Sequence, residues 1–266
     1  MNNNNSNQQK QVKVEPLHSL STKNDFGRLK QICRIDSLDS FVEVLNDNFH
    51  SDKIVFNFQK YDKNNGNKTT NRVTFWMQLD DFLAIHKQMN VYIHKCKEVR
   101  ARAQAEANST NKTVFPSLLC DLYAGSSAES LKKFNKSRPD GLAESRKFSI
   151  VPAGVKPENK NKKPQYTQYQ SNKINSTTTD IVLTAEKGPG IEDANGLIQP
   201  NYGKTINGKF VQAEEIIRVP MSYDKFIAML EKTYMNYQAY LAGEVYLNRA
   251  LDLRQERKSL ETQQSK

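Results

Sequence analysis

Val73-Thr74-Phe75-Trp76-Met77-Gln78-Leu79-Asp80-Asp81-Phe82-Leu83-Ala84 is answered, 144 residues later, by Ile217-Arg218-Val219-Pro220-Met221-Ser222-Tyr223-Asp224-Lys225-Phe226-Ile227-Ala228. Met, Asp, Phe and Ala coincide without a gap. In both stretches the apolar residues alternate and then pass to helical spacing at the same point, the pattern of a strand turning directly into a helix. Such a junction occurring twice restricts the fold more than any single residue does. The expected class is α+β: a duplicated antiparallel-sheet-plus-helix unit with long basic loops and an extended C-terminal helix.

Upstream of the first junction, residues 53–61 alternate. Ile54, Phe56 and Phe58 line one face, and Val55, Asn57, Gln59 and Tyr61 the other. Asn65-Gly66 is a hairpin signal, so 72–79 is expected to return as the antiparallel partner. Residues 28–35 are expected as a strand. Residues 38–45, with Leu38, Phe41, Val42 and Leu45 at helical spacing, are expected as a short helix. The helix after the first junction should run over 80–107, with Phe82, Ile85, Met89, Ile93 and Cys96 inward, and outrun the core beyond Arg100.

In the second half, strands are expected at 114–123, 146–151, 180–186 and 210–221, and a short helix at 127–134. Residues 155–179 and the glycine-rich 187–209 read as mobile loops. The last helix should start at 222, with Phe226, Met229, Leu230, Thr233, Tyr237 and Leu241 on one face. The organisation expected is a disordered polar tail over 1–26 and a single domain over 27–250 with halves 27–107 and 113–250. A charged helix end or tail over 251–266 completes it.

Hydrophobic residues make up only 37% of the 266, so part of the length is expected outside the core. The net charge of +10 favours a polyanionic partner. Cys33, Cys96 and Cys120 are far apart, and neither they nor the four histidines show metal-ligand spacing. No cofactor or metal is expected. No apolar run approaches the roughly 18–20 residues a bilayer span needs, and the polar N-terminus has no signal-peptide core. The expected location is the cytoplasm of a bacterial or virus-infected cell. GxxxxGK[ST], GxSxG and HExxH are all absent, and catalysis is not expected.

A binding surface is better supported. Placing Val73, Phe75, Met77 and Leu79 towards the core puts Arg72, Thr74, Trp76 and Gln78 on the opposite face. A tryptophan beside an arginine on an open sheet is a platform for stacking bases. Two roles stay open for Trp76: stacking, or packing against a second sheet or a subunit. Asn57, Gln59 and Tyr61, with Lys60 near the turn, offer bonds to phosphate or base edges. The matching surface of the second half would carry Arg218, with Arg146 or Lys147 from a neighbouring strand. In the 155–179 loop, Lys162 and Lys163 interleave with Tyr166 and Tyr169, suiting a single strand's phosphates and bases.

The pattern over 72–84 and 218–228 resembles Whirly and positive-cofactor-four-like single-stranded-DNA-binding proteins. The resemblance implies strands followed by a helix, doubled, a sheet face that contacts single-stranded nucleic acid, and subunits that assemble through helices. The long loops at 155–179 and 187–209 depart from it. The leading expectation is a sequence-tolerant single-stranded-DNA-binding protein of replication or recombination, in a phage or plasmid setting, acting as a homo-oligomer without a membrane. RNA remains open as the ligand. The alternative is a structural or scaffolding protein of a phage particle or other assembly.

Overall fold

Four strands meander in chain order to form one antiparallel sheet: β1 (Gln31–Asp36), β2 (Ser40–Leu45), β3 (Lys53–Asp62) and β4 (Lys68–Gln78). The structure is a computed structural model and describes residues 31–62, 68–158, 179–206 and 209–264. The polar tail, the Asn65-Gly66 turn and most of the 155–179 loop therefore lie outside the described residues.

The helix expected over 38–45 is instead β2. Leu38 is exposed in the tight β1–β2 turn, and every residue of β2 is buried because neighbours cover both of its faces. An apolar run buried on both faces mimics helical spacing, and the β-branched Val42 and Val44 decide for the strand. The phase of β4 is as expected: Val73, Phe75 and Met77 are buried, and the chain passes straight into α1 (Leu79–Lys87), which buries Phe82 and Ile85. The single helix expected over 80–107 breaks at Gln88, and α2 (Met89–Thr110) follows. Its alanines do not outrun the structure, since Ala103 and Ala107 pack on Val155.

The expected strand at 114–123 begins only at β5 (Cys120–Ser126), and Val114 makes a single bridge to Val155. The short helix α3 (Ala128–Lys133) is capped by Ser127, whose Oγ accepts from the Ser130 N–H. Next come β6 (Ala143–Pro152) and β7 (Ile181–Glu192). The loop expected over 187–209 is largely strand, comprising the end of β7 with β8 (Ile198–Pro200), β9 (Lys204–Ile206) and β10 (Lys209–Val211). The glycines that suggested a loop provide clearance instead. A Cβ on Gly188 would stand 2.8 Å from the Tyr202 ring, and one on Gly190 2.6 Å from Ile198. β11 (Glu215–Met221) completes a second antiparallel sheet ordered β11-β7-β6-β5, with β8 on β7. Then α4 (Tyr223–Gln264) runs for 42 residues.

The two sheets face one another. Phe148 of β6 lies with its ring 5.3 Å from Phe56, 6.0 Å from Phe58 and 5.5 Å from Phe75. β4 touches β5, β6, β7 and β11, so it crosses the second sheet rather than running along one of its strands. α1, α2 and α4 close the same core through Phe82, Cys96, Phe226, Met229, Leu230 and Tyr237. From Leu241 to Arg257 the side chains of α4 are mostly exposed, Val245 and Tyr246 among them.

One ion cluster ties the segment before β6 to the segment before β11. Arg138, only 9% exposed, bonds Asp140 at 2.6 Å and grips both oxygens of Glu214 at 2.6 and 2.8 Å. These bonds hold both carboxyls below their ordinary range. Depressed carboxyl pKa values stabilise the folded state above the unfolded values, and that stability is lost as pH falls through the lowered ones. Arg138→Ala is expected to cost about 1 kcal/mol at neutral pH, since both carboxylates are partly exposed, and to flatten the acid limb of melting temperature against pH. An acid limb identical to that of the unaltered protein would show that other carboxylates set it.

Candidate nucleic-acid interface

The outer face of the first sheet is a bonded network rather than an open platform. Arg34, Glu43, Asn57 and Thr74 stand side by side across its four strands. Asn57 is 2% exposed. It donates to Glu43 at 3.2 Å, while its carbonyl accepts from Arg72 Nε at 2.6 Å. Tyr61 accepts from Arg34 at 2.5 Å and donates to Asp36. Arg34 also lies over the buried Phe41 ring at 3.6 Å. Asn57 is thus removed as a ligand contact, because its amide is spent inside the sheet. Tyr61 is tied at one edge by its hydroxyl. Gln59 and Lys60 are half-buried, and Arg72 is exposed but bonded through Nε to Asn57 and Thr74.

The second sheet divides its candidates. Lys147 pairs with Asp121 at 3.0 Å and lies over the Tyr123 ring at 5.8 Å, on the outer face. Arg218 is exposed on the same face. Arg146 faces the other way, along with Phe148. It pairs with Glu144, and its guanidinium stands 4.9 Å from the Trp76 ring centre. Burial lowers its pKa and Glu144 opposes the shift, yet a guanidinium starting so high stays charged. Lys162, Lys163, Tyr166 and Tyr169 lie outside the described residues.

Trp76 and Arg146 meet at a cleft of about 660 Å³ between the edge strands β4 and β5, roofed by α3. Trp76, 36% exposed, and Phe134, 71% exposed, both line it. Lys53 and Lys136 line the same cleft, and among the described residues neither has a carboxylate within ion-pair distance. Two aromatic side chains, two unpaired ammonium groups and one guanidinium thus share a cleft open to solvent, while Tyr123 lines it from β5 with its ring turned to the outer face beside Lys147. Bases can stack on the rings while the cations meet phosphates. Of the expected residues, only Trp76 and Arg146 come together here. Phe134, Lys53 and Lys136 carried no sequence signal beyond their residue type, because the cleft joins elements far apart in the chain.

No family model, curated protein or solved structure matches the chain. Among the described residues no helix is long and apolar enough to cross a membrane, and no group of three His, Cys, Asp or Glu side chains is placed to hold a metal ion.

Proposed function

We propose that this chain binds single-stranded DNA in the cleft between β4 and β5, in the service of replication or recombination. The observation that carries the reading is the partly open Trp76 ring, with Arg146 at 4.9 Å, in a cleft also lined by Phe134 and two unpaired lysines. Stacking accepts any base, and the net charge of +10 favours a polyanion. Single strands suit the cleft better than duplex, whose bases are stacked on one another and closed to side-chain rings.

Fluorescence anisotropy with labelled single-stranded and duplex oligonucleotides tests this reading. Neutralising about five phosphates on a single strand gives a log–log salt slope near about −3.5. Trp76 is the only tryptophan, so quenching in the same titration reports this cleft alone. Binding of neither form at low salt, or binding without salt dependence, would remove nucleic acid as the ligand.

We also read the chain as two copies of one four-strand-then-helix unit. Val73 and Ile217, Phe75 and Val219, Met77 and Met221, and Phe82 and Phe226 are buried pair by pair at the 144-residue offset. Asn71 and Glu215, at that same offset, bond at 2.5 Å, as matched positions do near a two-fold axis. The exposed Val245 and Tyr246 on distal α4 favour self-assembly, which light scattering would test.

A further inference from the structure

The cleft is not lined as a groove for phosphates alone would be. Asp81, in the first turn of α1, lines it together with Trp76, Asn48 and Gln78. Among the described residues the Asp81 carboxylate has no hydrogen-bond or ion-pair partner, and Gln78 makes no cap bond to α1. An unpaired carboxylate repels phosphate, so beside Lys53 and Lys136 it weakens a purely electrostatic site. It suits a different group, a pair of N–H donors on a base edge.

A base stacked on Trp76 presents its Watson–Crick edge to the surrounding polar side chains. An ionised carboxylate only accepts hydrogen bonds, through two oxygens side by side. Guanine alone offers two adjacent donors there, N1–H and the N2 amino group. Cytosine and adenine offer one amino group beside a ring-nitrogen acceptor. Thymine offers one N–H between two carbonyl oxygens, which a carboxylate repels. We propose that the cleft reads one base of the bound strand and selects guanine, with Trp76 stacking the ring and Asp81 accepting from N1–H and N2–H. This rests on the single-strand reading of the same cleft and adds one selective position to a strand otherwise bound without regard to sequence.

The test is competition against a labelled thymidine tract by unlabelled tracts carrying one central substitution. A single dG is expected to improve competition about tenfold over thymidine, the scale of a good bidentate base contact. Hypoxanthine in place of guanine, which lacks the N2 amino group, should lose most of that gain. Asp81→Asn should abolish the guanine preference and raise the affinity for xanthine above that for guanine. Xanthine carries an acceptor where guanine has its amino group, and an Asn amide supplies one acceptor and one donor. That exchange of preference is not something a destabilised helix start would produce.

Equal competition by dG and thymidine tracts, both binding well, would overturn the guanine reading and leave single-strand binding standing. Failure of every tract to bind would overturn both. Guanine preference persisting in Asp81→Asn would remove Asp81 as its source. Should that variant not fold, the comparison of guanine, hypoxanthine and thymidine on the unaltered protein decides the base preference without it. Free deoxyguanosine monophosphate quenching Trp76 while single-strand tracts fail to displace it would make the cleft a mononucleotide site and overturn the proposal.

Discussion

Replacing Phe148 with Ala is expected to remove about 3–5 kcal/mol of folding stability. The ring is 2% exposed and lies against Phe56, Phe58 and Phe75, so it is a central apolar contact between the second sheet and the first. Truncation removes its burial and three aromatic contacts, and it leaves a cavity between two sheets that cannot close without moving relative to each other. Against a typical total of about 5–15 kcal/mol this is a large share. Urea denaturation followed by circular dichroism measures it. Phe148→Leu, which keeps most of the volume, should cost roughly 1–2 kcal/mol. A loss below about 1 kcal/mol for the Ala variant would mean that the sheets are held together elsewhere.

Trp76→Ala should weaken single-stranded DNA by about 1–3 kcal/mol, the value of one stacked base, while the melting temperature changes little. The two readouts separate because Trp76 points away from Val73, Phe75 and Met77 and keeps 36% of its surface exposed at the cleft. Its contact with Arg146 contributes about 0.5–1 kcal/mol, a modest share of stability. Trp76→Phe retains a ring and should recover most of the affinity. Unchanged affinity accompanied by a melting temperature several degrees lower would assign Trp76 to packing at the sheet rim and discard it as a stacking platform.

The inward sets of β3 and β4 were legible because one face of each is uniformly large and apolar, and the step into α1 because the period changes there without a break. The second junction, at Tyr223, was legible for the same reason. β2 was not, since a strand covered on both faces has no period of its own. The end of β7 was hidden by Gly188 and Gly190, whose role is to admit Tyr202 and Ile198 against the sheet. For the site, the outward phase of Trp76 was legible, and the fate of Asn57 was not. Whether an outward polar residue meets solvent or a neighbour depends on Glu43 and Arg72, which arrive from other strands.

Period and composition by themselves determined the α+β class with antiparallel strands, the C-terminal helix, the inward faces and the basic charge, because each follows from which residues must leave water along a local stretch of chain. Tertiary structure alone decided that the two sheets pack face to face through Phe148. It also decided that the outer face of the first sheet ties up its own polar groups, and that Trp76 opens onto a cleft shared with Arg146 and Phe134. Local patterning reports which face is buried but carries nothing about what covers the other face. That depends on contacts between residues dozens of positions apart, which form only when the whole chain closes on one core.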